Sequence, residues 1–230
     1  MTTKTMPGEP IAGTNSTRMF NNDLIEWFSR IHPATIFVAW LPVIAGALFR
    51  GRIHYGLPLL SIAGYFAIGT LTWTFAEYIL HRWVFHWTNG TRAGKRIHFL
   101  LHGVHHDYPH DKDRLVMPLP TSVPLAAIFY ALFALVMGHA AAHAFFAGFA
   151  IGYLAYDGTH YYVHYFRPTT RVGKYLRKHH MIHHHADSEG GFGVSSPLWD
   201  LIFNTMPRKR RGIDPVKAQG ASDVSHVSPL

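Results

Sequence analysis

Cysteine is absent from this chain of 230 residues, and charged residues make up only 15% of it. Without thiols the protein can form no disulfide and no cysteine-ligated zinc or iron–sulfur site, so any metal must be held by nitrogen and oxygen ligands. Acidic residues are fewer than basic ones, 13 against 21, which gives a net charge of +8. The chain is rich instead in histidine and phenylalanine, with 19 and 16 residues. An apolar protein with many imidazole ligands is indicated.

Four long stretches contain almost no charged residue, and they predict an all-α integral membrane protein. A helix needs about 20 apolar residues to cross about 30 Å of hydrocarbon. Each of four segments approaches that length, and only the second contains an acidic residue, Glu77: residues 34–49, 57–80, 121–138 and 140–156. We therefore expect four transmembrane helices, the last two joined by a tight turn around His139. A soluble bundle of buried helices is the alternative.

The basic residues are distributed unevenly around these segments. Only Arg50 and Arg52 follow the first segment, whereas every other Lys and Arg falls in the tails or in the central loop on the other side. Because positive charge marks the cytosolic face of a membrane protein, both termini and the central loop are predicted to be cytosolic. In a soluble protein the same net charge would suggest nucleic-acid binding. Here topology accounts for it, and no nucleic-acid partner is expected.

Three regions follow from this layout. Residues 34–206 form the predicted membrane domain, and residues 207–230 a basic C-terminal tail that is predicted to be disordered and to touch anionic lipid. Residues 1–33 are predicted to be a cytosolic tail and an interfacial helix capped by Asn21 or Asn22. Apolar residues recur there at helical spacing: Phe20, Leu24, Trp27, Phe28 and Ile31. A short soluble helix packed on the cytosolic face remains the alternative.

Ten histidines lie in four groups at the predicted cytosolic ends of these helices. The groups read HRWVFH, HGVHH, HYYVH and HMIHH and contain His81 and His86; His102, His105 and His106; His160 and His164; and His180, His183 and His184. Positions i, i+3 and i+4 share one helix face, so each HxxHH group should present three imidazoles on a single arc. The first pair is five residues apart and can converge only from a wider angle or with a local unwinding of the helix.

Ten neutral nitrogen ligands correspond to about five for each of two metal ions, which leaves coordination positions open. A structural zinc takes four ligands in a closed tetrahedron, so two iron ions fit better, although zinc or another divalent metal could occupy the site. A cytosolic helical cap with a dimetal site is therefore predicted. His179 and His185 flank the last group. We expect them at most to contact one of the metal-binding histidines, without binding metal themselves. The other histidines are interpreted as ordinary surface residues: His32, His54, His98, His110, His139, His143 and His226.

The four groups resemble, in order, the boxes HxxxxH, HxxHH, HxxxH and HxxHH of the fatty acid hydroxylase and sterol desaturase superfamily of membrane di-iron enzymes. The resemblance covers roughly residues 68–206 and makes residues 34–206 a fatty acid hydroxylase domain. EYILHRWVFH from Glu77, YDGTHYYVHY from Tyr156 and GFGVSSPLWD from Gly191 are most similar to fatty acid 2-hydroxylases. What this implies is a non-haem di-iron monooxygenase that uses dioxygen to hydroxylate an acyl chain next to its carbonyl, in a free fatty acid or a ceramide-type sphingolipid.

The resemblance also implies partners and alternatives. The eukaryotic form carries an amino-terminal haem domain that this sequence lacks, and no flavin or nicotinamide fingerprint is present. We therefore expect an external electron donor, such as a b-type cytochrome or a ferredoxin with its reductase. Oxidation or desaturation of a sterol, a carotenoid or an alkyl glycerol by the same kind of site stays open. A membrane metal carrier is a further alternative, but carriers place polar ligands along a path inside the bilayer.

Three more residues are predicted to act beside the metals. Carboxylates orient metal-bound imidazoles by accepting their free N–H, and Glu77 lies one turn before His81 while Asp157 lies three residues before His160. Helix capping or a lone salt bridge is the alternative for both carboxylates. Asp157 and its neighbour Tyr156 are also the residues that we expect to contact the substrate. Hydroxylation near the lipid head is favoured, because metals at the membrane surface lie closest to that end.

Overall fold

The computed structural model describes residues 16–208, which form helices and loops without a strand. Residues 1–15 and 209–230 lie outside the described residues, and with them most of both predicted tails and His226. The helices, in chain order, are α1 to α8: Asp23–Phe28, Ala34–Phe49, Leu59–Ile79, Arg92–His98, Val104–Asp107, Leu119–Tyr165, Arg171–His185 and Leu198–Ile202. Wider π-type turns extend α2 and α3 and follow α4: Arg50–His54, Leu80–Phe85 and Phe99–Gly103.

Three helical stretches of the described chain are long and apolar enough to cross a membrane: Ala34–His54, Leu59–Phe85 and Lys112–Tyr165. The expectation of an all-helical fold with long apolar helices is thereby confirmed for the described residues. The third stretch is 54 residues long and contains both the third and the fourth predicted segments. A straight helix of that length would measure about 80 Å, far more than the hydrocarbon thickness of a bilayer.

The helix α6 is broken at Gly138, which has φ 75° and ψ 159°. Two ring pairs show that the chain folds back there. The centroids of Phe129 and Phe149 are 4.8 Å apart, and those of Phe133 and Phe145 are 4.7 Å apart. Residues 20 positions apart in a straight helix would be separated by about 30 Å. The segments before and after Gly138 therefore pack side by side, and the turn comes one residue before the position around which it was predicted.

The closest helix contact joins α3 to the second half of α6 through two glycines. A Cβ atom added to Gly69 would lie 2.0 Å from the carbonyl oxygen of Phe145, and one added to Gly148 would lie 1.9 Å from that of Phe66. The hydroxyl of Thr70 donates to the carbonyl oxygen of Gly148 at 3.0 Å. Small residues let membrane helices approach until their backbones touch. These two helices carry His81 and His160 at their far ends, so this contact sets the spacing of the histidine groups.

The N-terminal segment is held by buried ion pairs as well as by the buried side chain of Met19. The side chain of Asn22 accepts hydrogen bonds from the first amides of α1, as the predicted cap requires. Glu26 is buried and accepts from the guanidinium of Arg114 at 2.7 Å. Leu24, Trp27 and Phe28 point outward, with Trp27 68% exposed. The outward apolar face suits the predicted interfacial helix, whose contact with the membrane stays a prediction.

We expect Gly69→Ala to destabilise the protein and Gly64→Ala to leave it as stable or slightly more stable. Gly64 lies on the same helix, and an added Cβ there meets nothing within 4 Å. Alanine at an open helical site gains up to about 1 kcal/mol of helix propensity, whereas overpacking costs about 1–3 kcal/mol. Thermal unfolding of the purified protein in detergent measures both effects. A lower melting temperature for the Gly64 variant than for the Gly69 variant would contradict this packing.

Candidate metal centre

The ten predicted histidines converge in two adjacent groups of five. Within each group the potential ligand atoms all lie within 4.8 Å of one another. The first, here called the His81 group, contains His81, His86, His102, His106 and His183. The second, here called the His160 group, contains His105, His160, His164, His180 and His184. The rings of His106 and His184 stack across the boundary, with centroids 4.1 Å apart.

Each HxxHH group is divided between the two sites. Positions i and i+4 differ by about 40° around a helix, but positions i+3 and i+4 differ by about 100°. In the second box His102 and His106 join the His81 group, while His105 joins the His160 group. The fourth box does the reverse, because only its i+3 histidine, His183, joins the His81 group. The single arc expected from spacing is therefore a pair of diverging arcs, each serving its own site.

A local unwinding of the helix, one of the two predicted solutions, brings His81 and His86 together. Residues Leu80–Phe85 form a π-type turn, and the amide of His86 donates to the carbonyl oxygen of His81 at 3.3 Å. This i to i+5 bond is the signature of a π-bulge, which widens the turn. The Nε2 atoms of the two rings are consequently 3.3 Å apart.

Backbone carbonyls fix the orientation of three imidazoles. The Nδ1 atom of His81 donates to the carbonyl oxygen of Phe192 at 2.6 Å, and that of His183 donates to Gly190 at 2.8 Å. The Nδ1 atom of His160 donates to the carbonyl oxygen of Leu115, also at 2.8 Å. A neutral imidazole that donates from one nitrogen has only a lone pair on the other. The Nε2 atoms of these three rings therefore turn lone pairs towards their groups.

The Nε2 separations fit a metal ion in each group. Two nitrogens bound at right angles, each about 2.1 Å from a metal, lie about 3.0 Å apart. In the His81 group His81 lies 3.0 Å from His102, and in the His160 group His164 lies 2.8 Å from His180. The Nε2 atom of His106 is buried without any hydrogen-bond partner among the described residues. A cation at the centre of each group would satisfy nitrogens that otherwise face one another.

Burial keeps the rings uncharged, which is the form that binds metals. Removal from water lowers the pKa of His86 to about 3 and that of His183 to about 4. The pKa of His106 is lowered to about 2, mainly by burial and to a smaller extent by repulsion from His183 and His86. Metal binding requires neutral imidazole, so no proton has to leave these rings first. At neutral pH they are already in the ligand form.

Glu77 acts on the loop after α7 rather than on a histidine. Its carboxylate is buried and accepts from the amides of Val194 and Ser195 at 2.6 and 2.8 Å, and also from the Ser195 hydroxyl. No imidazole of the described residues donates to it. The carbonyl of Phe192 occupies the place by His81 that was predicted for this carboxylate. Glu77 thus reaches His81 only indirectly, by holding the loop that carries Phe192.

Asp157 has the same kind of position in the second half of the chain. Its Oδ2 atom accepts from the amide of Met117 at 3.3 Å, two residues beyond the Leu115 carbonyl that orients His160. Asp157 is 1% exposed and has no hydrogen bond to an imidazole in the described structure. Tyr156 is buried, and its ring stacks on that of His160 with centroids 5.8 Å apart. Both residues border the metal centre, but neither touches it through a hydrogen bond.

Asp200 is the supporting carboxylate that sequence reasoning missed. It is fully buried and accepts from His179 Nε2 at 3.1 Å and from the amides of Phe192 and Gly193 at 3.0 and 2.8 Å. Burial alone would raise the pKa of Asp200, but these hydrogen bonds lower it below its usual value. The sequence did contain a signal for this role, because Asp200 is the single acidic residue at the end of the otherwise uncharged segment GFGVSSPLWD. His179 therefore contacts the loop system, whereas His185 is exposed.

A cavity of about 110 Å³ adjoins both groups. It is bordered on the metal side by His102, His105 and His160, and on the membrane side by Tyr156 and Asp157. An apolar cavity follows deeper in the bundle, and Met117 lines both. The deeper cavity is lined mainly by aromatic rings: Trp40, Trp73, Phe129, Phe146, Phe149 and Tyr153. The cavity at the histidines and the apolar space between the helices therefore adjoin each other at Met117.

Fold and site together define a helical protein with three apolar helices long enough to cross a membrane and two adjacent five-histidine groups that could each hold a metal ion. The sequence model of the fatty acid hydroxylase family matches residues 66–205, more than half of the chain. The chain belongs to this family, whose named relatives here are hydroxylase enzymes.

Three relatives illustrate the similarity. Dihydroceramide fatty acyl 2-hydroxylase FAH1 of Arabidopsis thaliana is 38% identical over 86% of this chain and 84% of its own length. Ceramide very long chain fatty acid hydroxylase SCS7 of Saccharomyces cerevisiae is 37% identical over 84% of this chain and 50% of its own. A solved structure of full-length scs7p, in which only the hydroxylase domain is visible, has a TM-score of 0.79 at 35% identity. That match covers 86% of this chain and 75% of the other.

We expect His183→Ala to lower the metal content from about two ions per chain to about one or fewer. The replacement removes one of the five ligand nitrogens of the His81 group. It also removes the hydrogen bond from His183 Nδ1 to the carbonyl oxygen of Gly190. His185→Ala is the matched control, because His185 follows on the same helix but is exposed. Mass spectrometry of metals in the purified protein, per mole of chain, gives the answer. Equal metal content in the two variants would refute the ligand assignment.

Proposed function

We propose that this chain is a di-iron monooxygenase that hydroxylates an acyl chain at the 2-position, next to the carbonyl, with the ten converging histidines as iron ligands. The observation that carries the proposal is the pair of five-histidine groups beside a cavity of about 110 Å³ with mixed polar and apolar lining. The similar proteins support this reaction, since they are named fatty acid or dihydroceramide fatty acyl 2-hydroxylases. Sphingolipid-linked acyl chains are accordingly the substrate that we favour over free fatty acids.

The donor set favours iron over a structural zinc. Five imidazoles exceed the four ligands of a closed zinc tetrahedron, and they leave a six-coordinate ion room for one further ligand. An aliphatic C–H bond is too inert for a side-chain acid, base or nucleophile to cleave. Bound iron would activate dioxygen for this reaction. Zinc or another divalent metal can compete for the same nitrogens during purification, so metal identity needs its own measurement.

The protein's own residues position the substrate and exclude water. Tyr156 and Asp157 stand between the histidines and the membrane side of the bundle, where the reacting carbon must lie. We infer that the acyl chain passes Met117 towards the deeper aromatic cavity, whose volume of about 30 Å³ must widen to admit it, while the polar head stays near the membrane surface. A carbon close to the carbonyl then lies nearest to the metals. The low polarity of this path keeps bulk water from the reacting centre.

The four-span topology is part of the proposal. The antiparallel halves of α6, joined at Gly138, support two crossings in addition to those of α2 and α3. The histidine groups then lie at one membrane surface, under a cap formed by α4, α5, α7 and α8. The positive residues concentrated on that side support a cytosolic location for the cap and both termini. Electrons arrive from outside the chain, from a b-type cytochrome or from a ferredoxin with its reductase.

The reaction is tested with isotopic dioxygen. In cells that express the chain, ¹⁸O₂ should add one labelled oxygen to the 2-position of acyl lipids, and His105→Ala should lower the labelled product at least about 100-fold. His185→Ala serves as the expression and folding control and should retain most of the activity. Fragmentation of the product locates the hydroxyl and identifies the head group. Label in a sterol, carotenoid or alkyl glycerol would redirect the substrate assignment, and metal transport without oxygen consumption would contradict the enzyme proposal.

A further inference from the structure

A groove with a polar end lies far from the histidine groups. It runs between α2 and the first half of α6, has a volume of about 510 Å³ and opens to the side of the bundle. Short side chains line much of its length, among them Val43, Gly46, Val123 and Ala127, next to the larger Trp40, Leu119 and Phe146. The short side chains leave a channel that a hydrocarbon chain can fill. An added Cβ at Gly46 meets nothing within 4 Å, so the space there is open.

The polar end of the groove is formed by Arg50, Tyr130 and His143. The Nδ1 atom of His143 donates to the carbonyl oxygen of His139 at 2.6 Å, and the Tyr130 hydroxyl lies 3.3 Å from that same nitrogen. The His143 ring also packs against Tyr55, with centroids 5.2 Å apart. These contacts fix a rigid polar wall at the groove end. They also explain the burial of His143, which was interpreted as a surface residue.

Arg50 is the positively charged residue at this end of the groove, and none of the described residues forms an ion pair with it. Its side chain is exposed and has no ion pair or hydrogen bond with the residues that the structure describes. The sequence contains no acidic residue between Glu26 and Glu77, and none between Asp113 and Asp157. The connectors at this end of the bundle are therefore positive without compensation. A guanidinium at a membrane surface binds phosphate oxygens with paired, charge-assisted hydrogen bonds.

Distance separates this end from the metal centre. α2 ends beside Arg50, and α3 runs from Leu59 to the turn that contains His81. At 1.5 Å per residue, the 22 steps between those two residues correspond to about 33 Å, the thickness of the hydrocarbon core. A head group on Arg50 and a head group at the histidines would lie at opposite surfaces of the bilayer. The head-group end of the groove therefore lies apart from the histidine groups, although the groove and the deeper aromatic cavity share Trp40, Ala126 and Phe146.

We propose that this groove binds one anionic diacyl phospholipid from the leaflet opposite the histidine groups. Its phosphate pairs with Arg50 beside Tyr130 and His143, and one acyl chain lies along the small residues between α2 and α6. Charge complementarity identifies the head group, because the groove end offers a cation and no acid. The lipid fills the open space beside Trp40 and Phe146 between the two helices, so its binding stabilises the bundle.

Thermal unfolding of the purified full chain in detergent tests the proposal with three additions. Phosphatidylglycerol in large excess over its dissociation constant should raise the melting temperature by about 4 °C or more, whereas phosphatidylcholine should raise it by less than half as much. Inorganic phosphate should have no effect beyond that of its ionic strength. Native mass spectrometry should show about one retained phosphatidylglycerol per chain. Equal stabilisation by both lipids, or by free phosphate, would overturn the proposal.

Matched variants locate the site. Arg50→Gln should abolish the difference between the two lipids, while Arg52→Gln, which removes a neighbouring cation outside the groove, should preserve it. Gly46→Phe fills the groove and should reduce lipid retention, and Gly64→Phe, at an equally open position on α3, should not. If Arg50→Gln does not fold, the comparison of the two glycine variants decides. Undiminished retention in Gly46→Phe would exclude the groove as the binding site.

Discussion

The structure depends on ten uncharged imidazoles that are held with their nitrogens about 3 Å apart. Facing lone pairs repel one another, and burial removes the water that would otherwise separate them. Such an arrangement is costly for the polypeptide alone, and a cation in each group would turn the repulsion into coordination. Metal binding and folding are then coupled, as in other proteins whose ligands come from distant parts of the chain. The histidine groups join α3, α5, the end of α6, and α7, so the whole cap would share this coupling.

The two halves of the chain build their sites by the same rule and exchange one residue. Each half contributes two histidines from the end of a long helix and two more from positions i and i+4 of its HxxHH box. The i+3 histidine of each box crosses to the other site, so His105 and His183 tie the halves together. Each half also uses a buried helix carboxylate, Glu77 or Asp157, to hold the backbone segment whose carbonyl orients an imidazole. Neither site is complete without residues from the other half.

Much of this could be predicted because it is local. Hydropathy located the apolar helices, and spacing identified all ten histidines that converge. The separation of His81 and His86 by five residues predicted either a wider angle of approach or a local unwinding, and the structure has the unwinding. The turn lies at Gly138, one residue before the predicted position at His139. The prediction was close because both a glycine and a polar residue in an apolar segment indicate a turn.

The unpredicted parts depend on contacts between residues distant in sequence. Glu77 lies 117 residues from Val194, and His81 lies 111 residues from Phe192. No periodicity indicates that a carboxylate will bind a loop while a carbonyl takes its expected place beside an imidazole. Asp200 was missed for the same reason, because its four partners come together only when the loop folds back on α7. The division of each HxxHH box likewise required the relative placement of two long helices.

X-ray absorption at the iron edge of the purified, iron-loaded protein tests the central claim most directly. Iron in these sites should show five or six nitrogen and oxygen neighbours at about 2.1 Å. The spectrum should also contain the outer-shell scattering of several imidazole rings and a second metal nearby. A spectrum with four or fewer light neighbours and no imidazole contribution would contradict the account, because it would mean that the converging histidines do not bind the iron.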